Sequence, residues 1–175
     1  KQPEGPSTIN LGINLFAETI CETLPHPLVI LESQDLSTRL EFKWNELEQV
    51  KSPPSLILHL KFLRYFAQVA QKNGRFNSQQ GLKISTRALS PAGAGLGGSS
   101  TLSVSMIGAL RAWATGDTSP QTEGESLIEL VRDIETVVIR VPAGLQDYYG
   151  AMYGGLQELK WRPRQNEREP FNFTL

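Results

Sequence analysis

Apolar and polar residues along this chain follow two periods. Residues 8–16 (TINLGINLF) alternate well enough to predict a strand. Residues 28–32 (LVILE) and 39–42 predict two more short strands after the break at Pro25-His26-Pro27. The period then changes at Pro53-Pro54: Leu56, Leu60, Leu63, Ala67 and Ala70 recur at three- and four-residue spacing, which predicts a helix stopped by Asn73-Gly74. His59 lies in this helix and reads as a surface or packing residue rather than a ligand. Residues 81–89 (GLKISTRAL) alternate again, through Leu82, Ile84, Thr86 and Ala88, as a half-buried strand does.

A glycine-rich segment occupies 90–98, and residues 99–114 predict a helix with so few charges that it belongs in the core. A linker over 115–121, with Gly116, Asp117 and Pro120, leads to a further helix over 123–138. Residues 141–144 (VPAG) predict a turn, 146–149 the start of a short helix, and 152–161, with Gly154-Gly155, a strand or hairpin arm. A polar tail over 162–169 precedes one more strand at 171–175. No internal repeat or low-complexity tract interrupts this order.

Composition narrows the classes. With 39% hydrophobic and 20% charged residues, the 175-residue chain is an ordinary globular one, long enough to bury a core without staples. The 17 basic and 18 acidic residues leave a net charge of −1, so no bulk field draws it to nucleic acid. Cys21 is the single cysteine and His26 and His59 the only histidines, which excludes an internal disulfide and a Cys- or His-rich metal site. No apolar run reaches the length of a membrane span and no signal-peptide pattern opens the chain, so the default expectation is cytoplasmic. The chain starts at Lys1 without an initiator Met, as a processed or partial polypeptide would.

The chemistry concentrates in Leu89-Ser90-Pro91-Ala92-Gly93-Ala94-Gly95-Leu96-Gly97-Gly98-Ser99-Ser100-Thr101, between a predicted strand and a predicted helix. Its glycines allow positive φ and close approach to a ligand, and a helix beginning near Ser99 would aim free N–H groups into the loop. That makes a phosphate cradle. The bland alternative is a flexible turn in which Ser99 only caps the helix. Gly93 and Gly98 have Walker A spacing, but Ser99 stands where the lysine must be, so that motif is rejected. Gly93, Gly95 and Gly98 also fit GxGxxG, with Asp117 downstream. Asp117 sits in a linker rather than at the end of a second parallel strand, which leaves a dinucleotide-binding oxidoreductase as a minor alternative.

PAGAGLGGSST resembles the second motif of the GHMP kinases, PxxxGLGSS, which opens a helix and wraps the phosphates of ATP. Pro91, Gly95, Leu96, Gly97 and Ser99 match, while Gly98 stands where the family usually has Ser or Thr. Downstream, Glu135 and the run Gly144-Leu145-Gln146-Asp147, Tyr149, Gly154-Gly155 resemble the IE…GxQDxYxxxxGG pattern of the sugar-phosphate branch. D-glycero-D-manno-heptose 7-phosphate kinases look most similar, and fucokinases share the Gln-Asp pair. The resemblance runs over about residues 10–161 and is sharp only in these two segments.

The resemblance implies an α+β, two-layer fold of the ribosomal protein S5 domain 2 type, with residues 1–175 forming one N-terminal, ATP-binding domain. It implies transfer of the γ-phosphoryl group of ATP, with Mg²⁺, to a hydroxyl of a sugar or sugar phosphate. Pro91, Gly93, Gly95, Leu96, Gly97, Gly98, Ser99 and Ser100 would hold the nucleotide, and Ser99 and Glu135 the metal. Asp147 would be the base. Each assignment has a plainer rival: Asp147 as a helix N-cap, Glu135 on a solvated helix face. Gln146 would orient the sugar or Asp147, whereas Tyr148, Tyr149 and Tyr153 read as packing residues.

The family's opening motif, RxPxRxxxxGGxxD, and its C-terminal half are not found, residues 8–16 matching the strand after that motif. The expectation is therefore that this stretch alone is a poor catalyst, or a binding remnant of the same fold. No nucleic-acid or membrane partner is expected, and a homo-oligomer is left open.

Overall fold

A computed structural model describes residues 7–91, 93–119, 124–139, 144–160 and 173–174. Ala92, part of the linker before residue 124, the turn at 141–143 and the polar tail lie outside the described residues. The order is β1 (Ser7–Leu11), β2 (Ala17–Leu24), β3 (Leu28–Ser33), β4 (Thr38–Lys43), α1 (Ile57–Lys72), β5 (Gly81–Ala88), α2 (Gly98–Thr115), α3 (Gly124–Ile139), α4 (Gln146–Tyr153), β6 (Leu156–Lys160) and β7 (Phe173–Thr174). The α+β, two-layer architecture is the one expected.

Four strands form one sheet in the order β2-β5-β3-β4. β3 and β5 run parallel, so the chain must cross over between them, and α1 makes the crossover. On one face Val29 and Leu31 of β3 and Leu82 and Ile84 of β5 are fully buried against Leu60, Phe62 and Leu63 of α1 and Met106, Ile107 and Leu110 of α2. Each such aliphatic side chain contributes roughly 1.5–3 kcal/mol by leaving water. The opposite face is polar, with Lys83 3.3 Å from Glu32 and Arg39 2.6 Å from Glu41. A sheet with one apolar and one charged face takes helices on one side only, which gives the two layers.

A 3₁₀ turn with Pro54 at its first position leads into α1, and every residue of the predicted apolar stripe is buried. His59 is buried too, a packing residue: Nε2 lies 2.7 Å from the Thr86 hydroxyl and Nδ1 has no partner among the described residues. Burial pushes its pKa down to about 4. Cys21 is a free thiol that burial pushes up to about 12, well away from a reactive thiolate.

One strand expectation needs correction, and one strand was not expected at all. The strand predicted over 8–16 ends at Leu11, and the chain then turns, because Gly12 meets Gly155 backbone to backbone (Gly12 N–H to Gly155 carbonyl, 2.7 Å). β2 is a separate strand in the other sheet, paired antiparallel with β5. Its half-buried positions Ala17, Thr19 and Cys21 are small or polar, while Ile20 is 55% exposed, so no hydrophobic alternation marks it.

The second sheet has the order β1-β6-β7. β1 pairs with β6 from Ser7↔Lys160 to Leu11↔Leu156. This pairing carries the start of the chain to the end of α4, beside the loop between β5 and α2.

Candidate active site

The loop after β5 turns on glycines: Gly93, Gly95 and Gly97 have φ of 76°, 70° and 67°, in the left-handed region. Gly97 is itself the N-cap of α2 and makes no side-chain cap bond. Ser99 is therefore not the cap; it sits inside the first turn. The first intrahelical bond runs from the Thr101 N–H to the Gly97 carbonyl at 2.9 Å. By helix geometry the amides of Gly98, Ser99 and Ser100 have no partner within the helix, and they add to its positive end. Pro91 and Leu96 are exposed on the loop. A Cβ at Gly98 would stand 2.5 Å from Ser90 Oγ, so the Ser90 hydroxyl fills the space a serine or threonine would need there. Sequence reading passed over Ser90.

Glu135 comes from α3, which packs beside α2 with Ile128 and Val131 on the same buried face. Glu135 is 6% exposed, so it does not lie on a solvated helix face. Ser99 Oγ donates to its Oε1 at 2.7 Å, and the Tyr148 hydroxyl donates to its Oε2 at 2.8 Å. Ser103 Oγ stands 3.3 Å from Oε2. Among the described residues no lysine or arginine pairs with it. A buried carboxylate bonded to neutral hydroxyls and to no described cation presents hard oxygen donors on which a divalent cation could sit.

Asp147 enters from the first turn of α4. Leu145 is the N-cap of that helix and no side chain caps it, so the capping role weighed for Asp147 is not the one it plays. Its carboxylate instead lies against Gly97, where a Cβ would come within 3.3 Å of both Asp147 Cβ and Cγ. Partial burial, and then the charge of Glu135, raise its pKa above the usual aspartate value.

A cleft of about 420 Å³ opens beside this carboxylate, lined among others by Asn10, Asn14, Ser90, Thr101, Asp147 and Gly150. Asn10 Nδ2 donates to the Gln146 carbonyl at 2.6 Å, tying β1 to the start of α4. The Gln146 carboxamide folds toward Gly144, with Oε1 2.9 Å from where a Cβ would be. Tyr148 and Tyr149 are buried, and Tyr149 stacks on Tyr153 at 6.1 Å between ring centres. Asp117, needed by the dinucleotide reading, is paired with Arg111 and accepts from Ser119.

Together, Ser99, Glu135 and Asp147, brought in by three helices, gather round one glycine loop. No group of three or more His, Cys, Asp or Glu side chains clusters among the described residues. A metal here would have one carboxylate and one hydroxyl from the protein, both hard oxygen donors, which suits Mg²⁺ with its retained waters and phosphate ligands.

The family described as GHMP kinases N terminal domain matches residues 59–155, more than half of the chain, and the chain belongs to the GHMP kinase family. Thirty-four solved chains are similar to it. A D-glycero-D-manno-heptose 1-phosphate kinase from Bacteroides thetaiotaomicron superposes with a TM-score of 0.74 at 24% identity, over 96% of this chain and 51% of that one. Mevalonate kinase from Methanococcus jannaschii superposes at 0.67 and 21% identity, over 89% and 47%. Galactokinase from Lactococcus lactis, complexed with galactose, superposes at 0.64 and 18% identity, over 90% and 39%. These likenesses show a shared fold, and the chain spans about half the length of the first of these structures. Comparison with curated proteins gives no match.

Proposed function

We propose that residues 1–175 form the N-terminal, ATP-binding domain of a kinase that transfers the γ-phosphoryl group of Mg-ATP to a hydroxyl of a sugar or sugar phosphate. The observation that carries this reading is the convergence of a glycine cradle, a Ser99–Glu135 pair at 2.7 Å and Asp147 at the mouth of a cleft. In the proposed mechanism the amides at Gly97 to Ser100 and the positive end of α2 hold the phosphates, with Gly93, Gly95, Leu96 and Pro91 shaping the loop. Ser99 and Glu135 would hold Mg²⁺, which when bound neutralises charge on the transferring phosphates. Asp147 accepts the proton of the attacking hydroxyl. Its raised pKa makes it a stronger base than an exposed aspartate. Phosphoryl transfer asks for positioning and charge rather than covalent catalysis, and these residues supply both.

The sugar-phosphate branch is favoured by the Gln146-Asp147 pair and by the heptose 1-phosphate kinase among the structural neighbours. We place the protein in the cytoplasm, where ATP is at hand. The test is ADP release by the full protein against a panel of sugars and sugar phosphates. Sugar-dependent ADP release is expected. Nucleotide binding without release under any acceptor would instead mark a binding remnant, and NADH binding an oxidoreductase.

A further inference from the structure

Glu135 can point one carboxylate oxygen at Ser99 only if something holds the other. Oε2 has two hydroxyls nearby. Ser103 stands 3.3 Å away, but its single proton has a closer acceptor in the Ser99 carbonyl at 2.9 Å, the usual back-bond within a helix. The Tyr148 hydroxyl is 2.8 Å away, and the residue is 1% exposed. A fixed ring can hold this geometry at little cost in side-chain freedom, unlike a long flexible donor. Ser99 and Tyr148 thus each hold one oxygen of Glu135, and the two bonds join the first turn of α2 to α3 and α4.

We infer that Tyr148 is a positioning residue: its phenol anchors Glu135 Oε2 so that Oε1 faces Ser99, the two groups that would hold the divalent cation. This rests on the metal role proposed above for Ser99 and Glu135. Groups that orient a metal ligand typically change metal affinity about 10- to 100-fold when removed.

The test uses the full protein with Mn²⁺ as the probe, its binding in the presence of ADP followed by electron paramagnetic resonance. Tyr148→Phe is expected to weaken Mn²⁺ binding about tenfold or more, with a changed Mn²⁺ spectrum and an unchanged KM for the sugar. Equal Mn²⁺ affinity in wild type and Tyr148→Phe overturns the inference and leaves the kinase reading standing. Absence of Mn²⁺ binding by the wild type overturns the metal role itself, and the inference with it. Should Tyr148→Phe fail to fold, Ser103→Ala decides: it leaves Tyr148 as the hydroxyl at Oε2 and is expected to keep Mn²⁺ affinity within about twofold, whereas a loss of about tenfold would mean that Ser103 holds Oε2 and overturns the inference.

Discussion

Gly97→Ala separates the strain of a backbone from the geometry of a site. Gly97 and Gly74 have nearly equal φ, 67° and 65°, so an alanine at either takes on the same left-handed strain, about 1–2 kcal/mol. Their surroundings differ. At Gly74, just past the end of α1, a Cβ meets nothing within 4 Å, whereas at Gly97 it comes within 3.3 Å of Asp147 Cβ and Cγ. Asp147 must then retreat by a few tenths of an ångström. For a protein of this size 1 kcal/mol corresponds to about 2–4 °C in Tm, so both variants are expected to melt about 2–8 °C lower. A 1 Å misplacement of a reacting group costs about 100-fold, and a few tenths therefore about 3- to 10-fold. Gly97→Ala is expected to lose that much kcat in an ADP-release assay on the full protein, while Gly74→Ala keeps its kcat within about twofold by the same reasoning. Gly95→Ala, with φ of 70° and open space around it, tests the loop alone and is expected to raise the KM for ATP rather than lower kcat. If Gly97→Ala loses stability like Gly74→Ala and keeps its kcat, the seat of Asp147 against the loop has nothing to do with catalysis.

Other outcomes follow from single side chains. Glu135→Gln removes the charge but keeps the shape, and is expected to raise the Mg²⁺ needed for half-maximal turnover by about tenfold or more, read by Mg²⁺ titration at fixed ATP. His59 is held neutral, with its pKa down from 6.5 to about 4, so the unfolded chain binds the proton first as pH falls. Its contribution is intact above about pH 6.5 and shrinks toward about pH 4, by about 2 kcal/mol at pH 5. Urea unfolding at pH 7 and pH 5 should show that loss in the wild type and much less of it in His59→Gln. Leu31→Ala empties a fully buried site between the sheet and the helices, and is expected to cost about 2–5 kcal/mol in the same unfolding experiment.

Much of this fold is written in residue periodicity, because α1, α2 and β5 bury large aliphatic side chains at regular spacing. β2 escaped for a physical reason. Its inward positions carry Ala17, Thr19 and Cys21, and Thr19 accepts from Ser105 of α2 at 2.9 Å, a polar contact that hydropathy does not register. Residues 12–16 read as strand because leucines and isoleucines alternate there, yet Ile13 and Phe16 are 47% and 61% exposed, and this stretch lines the cleft. Within the site, the glycine loop and the two carboxylates were legible as motifs. The partners that orient them were not. Tyr148 looked like a packing residue, and it is one, but its hydroxyl meets Glu135 across two helices, a pairing no local spacing encodes. Ser90 was hidden the same way: its link to Gly98 depends on how sharply the loop turns.

The central claim is that Asp147 takes the proton from the attacking hydroxyl while the glycine loop holds the nucleotide. Asp147→Asn in the full protein tests it most directly, with sugar-dependent ADP release and nucleotide binding measured side by side. Asparagine keeps the shape against Gly97 but cannot accept the proton. Phosphoryl transfer should fall by about 100-fold or more while nucleotide affinity stays within a few-fold. A variant that keeps most of its activity would contradict the account.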